Sequence, residues 1–184
     1  MEILERLVRY SEGSEKFLRR CNSMNCRMGK RFSWEPSNGL SHIYDLLKKM
    51  DISKKQSFCE LGAGDARISL LTELLFGLNT TAIEYNRDTY EITKKRIEKD
   101  FPESKISLIH EDYENIDFSD YDVFYNYPWL SEEAQDIAEK VKKNNDALIM
   151  FHGGYRGGIE IMQEKGYSLK AESEDKNTRI YSSG

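Results

Sequence analysis

The apolar residues change their spacing near residue 55, and that change divides the chain. Upstream, Ile3, Leu4, Leu7 and Val8 form one stripe at helical spacing, and Leu40, Ile43, Tyr44, Leu47 and Met50 form a second. Two amphipathic helices are predicted there. Residues 21–38 between them are basic and irregular, and they include Pro36 followed by Ser37, a pair suited to opening the second helix. From Gln56 onward short apolar runs alternate with helical stretches, the pattern of repeated βαβ units on a largely parallel sheet. Strands are predicted at 57–61, 80–84, 106–110, 122–126 and 147–152, with helices at 66–78, 87–99 and 132–143. A further helix ends near 165, and Gly166 introduces a closing pair of strands, 167–171 and 178–181, joined by a polar turn. The expected fold is therefore α/β, with seven strands, helices on both faces and a final antiparallel strand pair. Residues 1–55 are expected to form a helical extension and residues 56–184 the α/β body.

A chain of 184 residues suits one catalytic unit and is too short for a catalytic domain plus a full recognition domain. Apolar residues at 39%, charged residues at 32% and only three prolines exclude disorder, a collagen repeat and a disulfide scaffold. Charge follows the same division as the hydrophobic pattern. Residues 1–55 hold 12 Lys+Arg against 7 Asp+Glu, a net of +5, while residues 56–184 hold 15 against 25, a net of −10. No acid occurs from Lys16 to Trp34, where six basic residues are interleaved with Phe17, Phe32 and Trp34. Such a segment can grip phosphates and stack bases, and it suits equally a lid that complements the acidic body.

The opening MEILERLVRY has early acids and no leader-like apolar core, and the most apolar stretch, 68–78, is short and contains Glu73. A cytoplasmic protein with no membrane partner is expected. Cys21, Cys26 and Cys59 cannot all pair, which favours a reduced compartment, and C-x4-C without a second pair at metal spacing predicts no metal site. His42, on a helix face, and His110 and His152, at strand ends, need no special role. The glycine-rich loop 153–158 lies beside the expected substrate mouth, as either a gate or a simple connection.

The stretch from Phe58 to Arg67, FCELGAGDAR, runs from an apolar strand through an acid and a glycine-rich turn into a helix. Gly62, Ala63 and Gly64 allow a sharp turn and close approach of the backbone to a nucleotide-like ligand. A dinucleotide fingerprint wants a third glycine where Arg67 stands, and Glu60 and Asp65 would repel a pyrophosphate. The same acids suit a ligand bearing an ammonium and a sulfonium, such as S-adenosylmethionine. The next strand ends Glu84-Tyr85-Asn86, placing a carboxylate suited to ribose hydroxyls 20 residues past Gly64, with Tyr85 beside the adenine. A third strand ends Glu111-Asp112-Tyr113, where Asp112 is suited to the adenine amino group.

Over about residues 56–181, ELGAGDAR, AIEYN, HEDY and the order of the strands resemble the class I S-adenosylmethionine-dependent methyltransferases, which implies a Rossmann-like fold. The first two motifs are most similar to small archaeal and mitochondrial lysine methyltransferases, whose first motif reads D-x-G-x-G-D-G-R. Glu60 stands for its aspartate and Ala66 for its last glycine. The fourth strand ends Asn126-Tyr127-Pro128-Trp129, which is similar to the N-P-P-[YFW] motif of methyltransferases acting on adenine, cytosine or glutamine nitrogens. That resemblance implies that the Asn126 side chain and the Tyr127 carbonyl accept hydrogen bonds from the target amino group, while Trp129 stacks on a planar substrate. Tyr127 replaces the proline that would restrict the backbone.

The expected function is methyl transfer to nitrogen on a macromolecule, either a protein lysine or a nucleic-acid base amine. Direct displacement at a sulfonium depends on alignment more than on a strong base. A lysine must first lose a proton, for which Tyr125, Tyr127 or Glu111 are candidates. The alternatives are a cofactor-binding regulatory protein without catalysis and a nicotinamide-dependent oxidoreductase.

Overall fold

The computed structural model describes residues 2–21, 39–127, 131–143, 147–152 and 158–183. Most of the basic segment 16–34, Cys26, the Pro36-Ser37 pair, Pro128, Trp129 and the loop 153–157 lie outside the described residues, as do the side chains of 15–21.

Seven strands are present among the described residues: β1 (Ser57–Leu61), β2 (Asn79–Glu84), β3 (Ser107–His110), β4 (Val123–Asn126), β5 (Leu148–His152), β6 (Ser168–Glu172) and β7 (Thr178–Ser182). Their ends differ from those predicted by at most one residue. They form a single sheet in the order β3-β2-β1-β4-β5-β7-β6. The first five run parallel, and β7 is antiparallel to both β5 and β6.

Alternation along each strand sends neighbouring residues to opposite faces, so the sheet has two cores. On one face Phe58, Ala82, Tyr125 and Met150 meet α1 (Glu2–Cys21), α2 (Leu40–Lys49), α3 (Arg67–Phe76) and α4 (Arg87–Asp100). These helices contribute Leu7, Ile43, Leu47, Leu70, Leu71 and Ile97 to that core. On the other face Cys59, Leu61, Phe124 and Ile149 meet Ile137, Ala138 and Val141 of α5 (Ser131–Val141) and Met162 of α6 (Gly158–Glu164). Between β3 and β4 the chain makes two short 3-10 turns, with Phe118 of the second stacked on Phe124 at 4.8 Å. No described helix is long and apolar enough to cross a membrane.

The chain runs outward from β1 to β2 and β3, then returns to place β4 on the other side of β1. Connections leave β1 and β4 in opposite directions, which opens a crevice at their carboxyl ends. Leu61 pairs with Asn126 there, and Ile83 flanks Leu61 on the other side.

Candidate active site

The turn from β1 to α3 contains three left-handed residues: Gly62 at φ 75°, Gly64 at φ 57° and Ala66 at φ 56°. Glycine adopts this conformation without a Cβ clash, whereas alanine gives up about 1 kcal/mol and still fits. That is the physical sense in which Ala66 stands in for the last glycine of the lysine-methyltransferase motif. The Gly62 and Ala63 amides donate to the Ile83 carbonyl at 2.9 and 2.8 Å. Gly62 is exposed, and a methyl group built on it would meet nothing within 4 Å. The turn is open on that side to whatever it binds. Gly64 is gripped through both backbone groups, its N–H donating to Glu84 Oε2 at 2.8 Å and its carbonyl accepting from Thr93 Oγ1 at 2.6 Å.

The three buried acids named from the sequence do different jobs. Glu60 points into α3, where its Oε2 accepts from the Ser69 amide at 2.9 Å and from the Ser69 hydroxyl at 2.5 Å. Asp65 Oδ1 accepts from Arg67 Nε at 2.7 Å in an ion pair buried at 2% and 4% exposure. Such a pair is held by geometry, because removing either partner strands a buried charge. Glu84 joins the turn to the end of β2, its second oxygen accepting from the Asn86 amide at 2.7 Å.

Burial pushes the Glu60 carboxyl up to about 8, against the pull of its Ser69 hydrogen bonds, and pushes Glu84 up to about 7 against those of Asn86 and Gly64. A carboxyl whose folded pKa is raised holds its proton longer in the folded state than in the unfolded chain, so folding loses stability as pH rises toward the folded pKa. Below about 6.5 the opposite pull of His152 enters, since burial lowers its pKa. The melting temperature of the free protein is therefore expected to fall between pH 6.5 and 8.5. Calorimetric scans across that window check this, with Glu60→Gln expected to flatten the slope.

At the end of β4 the Asn126 side chain is 2% exposed, and its Nδ2 donates to the Leu61 carbonyl at 2.9 Å. A carbonyl only accepts, so the amide nitrogen must face Leu61, and this orientation leaves Oδ1 buried with no hydrogen-bond partner among the described residues. Tyr127 follows, its ring tilted against His152 with centroids 5.5 Å apart. His152 closes β5 and is anchored through Nδ1 to Thr178 Oγ1 at 2.6 Å. Burial raises the Tyr125 phenol well above its ordinary value, while the Asn115 hydrogen bond holds the Glu111 carboxyl low. Neither suits a proton acceptor at neutral pH.

The ends of β2 and β3 are looser. After β2, Tyr85 is exposed, and Asn86 caps α4 by accepting from the Thr89 amide at 3.0 Å. Glu111 accepts from Asn115 Nδ2 at 2.9 Å, and Asp112 caps its own 3-10 turn through the Glu114 amide at 3.1 Å. Tyr113 turns toward α5, where Lys140 Nζ lies 5.3 Å from its ring centre. The structure thus brings Gly62, Ala63, Gly64, Glu84 and Asn126 together around the crevice, while Glu60, Asp65 and Arg67 brace the turn from within. Thr93, Ser69 and His152 belong to this region without having been singled out for it from the sequence. The serine and threonine were hidden because a hydroxyl on a helix carries no motif of its own.

The fold, with its sheet order 3-2-1-4-5-7-6 and reversed seventh strand, matches a large set of solved structures. A methyltransferase from Pyrococcus furiosus superposes with a TM-score of 0.62 over 94% of this chain and 98% of its own, at 16% identity. The chain has the class I methyltransferase fold. A Salinibacter ruber RNA methyltransferase in complex with S-adenosyl-L-homocysteine shares this fold at TM-score 0.61 and 16% identity, covering 81% of this chain and 91% of its own. Human N-acetylserotonin methyltransferase, in complex with SAM, matches at TM-score 0.61 and 12% identity over 78% of this chain and 51% of its own. One is an RNA methyltransferase and the other an N-acetylserotonin methyltransferase, so the class I fold does not choose an acceptor. No family model and no curated protein matches the sequence.

Proposed function

We propose that the chain is an S-adenosylmethionine-dependent methyltransferase that transfers methyl to the exocyclic amine of a nucleic-acid base. The observation that carries this reading is Asn126 Oδ1, a buried acceptor without a partner among the described residues, at the crevice between β1 and β4. Buried carbonyls of side-chain amides are normally satisfied, and an orphan at this place fits an amino group that arrives with the substrate. The residues at the turn fit the cofactor: Gly62 leaves open space, and the Glu84 carboxylate ends the strand beside it. When bound, S-adenosylmethionine supplies an electrophilic methyl group on a sulfonium. Asn126 and the Tyr127 carbonyl orient the acceptor nitrogen so that its lone pair faces that methyl group.

A base amine is favoured over lysine because it starts neutral. A lysine ammonium needs a proton acceptor, and two of the three candidates, Tyr125 and Glu111, are tuned away from that task. The basic segment of the sequence and the RNA methyltransferase among the structural neighbours support a nucleic-acid partner. The test is incubation of the protein with radiolabelled S-adenosylmethionine and cell extract, followed by nuclease or protease digestion. Label lost to nuclease is the expected result. Label lost only to protease would move the acceptor to lysine, and binding of NAD in place of the methyl donor would overturn the cofactor assignment.

A further inference from the structure

The turn 62–66 holds three left-handed residues, and within it the backbone supplies one hydrogen bond, from the Ala66 amide to the Ala63 carbonyl at 2.7 Å. Glu84 at the end of β2 and Thr93 on α4 restrain it at Gly64. Its other half is restrained by the N-terminal helix. The Tyr10 hydroxyl donates to the Asp65 carbonyl at 2.9 Å, and Arg67 Nη1 donates to the Ser11 hydroxyl. Helix α1 is in turn fixed at the same level by α4, where Arg96 donates to the Tyr10 carbonyl at 2.7 Å and to the Ser14 hydroxyl. The Arg96 guanidinium also lies over the Tyr10 ring, 4.1 Å from its centre.

Leu7, Tyr10, Ser11 and Ser14 share one face of α1, and all four are buried. Packing alone would be served by apolar residues at those positions. Buried hydroxyls impose direction instead, since each must meet its partner or remain unsatisfied. Two of the three reach the turn, and both reach its second half, where Asp65 and Arg67 form their buried pair.

We propose that helix α1 is a positioning element of the cofactor site: Tyr10 and Ser11 hold Asp65 and Arg67, and with them the turn 62–66, in the conformation that receives an adenosyl ligand. The proposal rests on the cofactor reading given above. Its consequence is that the helical prefix contributes to affinity without touching the ligand, by ordering the turn before binding rather than during it.

The test compares Tyr10→Phe, Ser11→Ala and the double variant with Leu7→Ala, which weakens the same helix face by packing alone. S-adenosylhomocysteine affinity is measured by calorimetry at a temperature where circular dichroism shows each variant folded. Hydrogen exchange of residues 61–67 is followed in the free protein. The double variant is expected to bind about tenfold more weakly and to exchange faster at 61–67, while Leu7→Ala lowers the melting temperature but stays within twofold of wild-type affinity. Affinity unchanged in the double variant, or lost equally in Leu7→Ala, would overturn the positioning role. If the double variant does not fold, Tyr10→Phe, which removes one oxygen, carries the same comparison. If the wild-type protein does not bind S-adenosylhomocysteine, the cofactor reading falls. Exchange at 61–67 then decides the latch: faster exchange upholds it and unchanged exchange overturns it.

Discussion

Asn126→Ala is expected to cut methyl transfer at least about 100-fold while S-adenosylhomocysteine binding changes only a few-fold, the size of effect seen when one preorganised polar group is removed from a reacting centre. The expectation follows from how the amide is divided. Nδ2 is committed to the Leu61 carbonyl, and this fixes Oδ1 as an acceptor. Alanine removes both atoms. It also leaves the Leu61 carbonyl without that donor, so some stability is lost, about 1–3 kcal/mol. Asn126→Asp separates the two roles. A buried, protonated aspartic acid can donate to Leu61 and keep a carbonyl oxygen for the acceptor, so it should retain partial activity that declines as rising pH ionises it. Single-turnover rates at saturating donor, set beside calorimetric affinities, check both variants. Equal activity of Asn126→Ala and wild type would remove Asn126 from the chemistry.

Much of the scaffold around that residue is legible in the sequence because strand and helix periods are local. Each βαβ unit announces itself by an apolar run of strand length, and the strand ends are marked by Glu60, Glu84, Glu111 and Asn126. What the pattern does not reveal is which partner each acid meets. Glu60 reads as a ligand-facing charge, yet its direction is set by α3, where Ser69 lies nine residues on and supplies both an amide and a hydroxyl. Asp112 reads as an adenine contact, yet in the free protein its side chain caps the turn it begins. The docking of α1 is also hidden at first sight. Tyr10, Ser11 and Ser14 continue the face begun by Leu7, and polar residues on an otherwise apolar stripe are the one sequence signal that this face meets buried polar partners. Arg96 and Arg67 supply those partners from sites 82 and 56 residues away, a separation at which no periodicity speaks.

Affinity for the methyl donor is expected to depend on Glu84 more than on any other described side chain, and to show it through pH. In the free protein this carboxyl is pushed up to about 7 by burial, and it already accepts from the Gly64 and Asn86 amides. Ribose hydroxyls that donate to it favour the ionised form, so binding must expel the proton whenever the free group holds one. The sign follows directly: affinity is highest above pH 7 and falls as pH drops, by about 30-fold between pH 8 and 5.5 for a group titrating at about 7. Glu84→Gln should weaken binding at pH 8 and abolish the slope, because nothing is left to titrate. Glu84→Ala should cost about 100-fold, since two hydrogen bonds to a charged acceptor are lost at about 1.5 kcal/mol or more each and the Gly64 amide loses its anchor. Glu60→Gln serves as the control. Its carboxyl faces Ser69 rather than the crevice, so the slope should survive that change even though the stability profile does not. Calorimetric titrations with S-adenosylhomocysteine at four pH values distinguish these outcomes. A slope that persists in Glu84→Gln would assign the titration to another group and separate Glu84 from ligand binding.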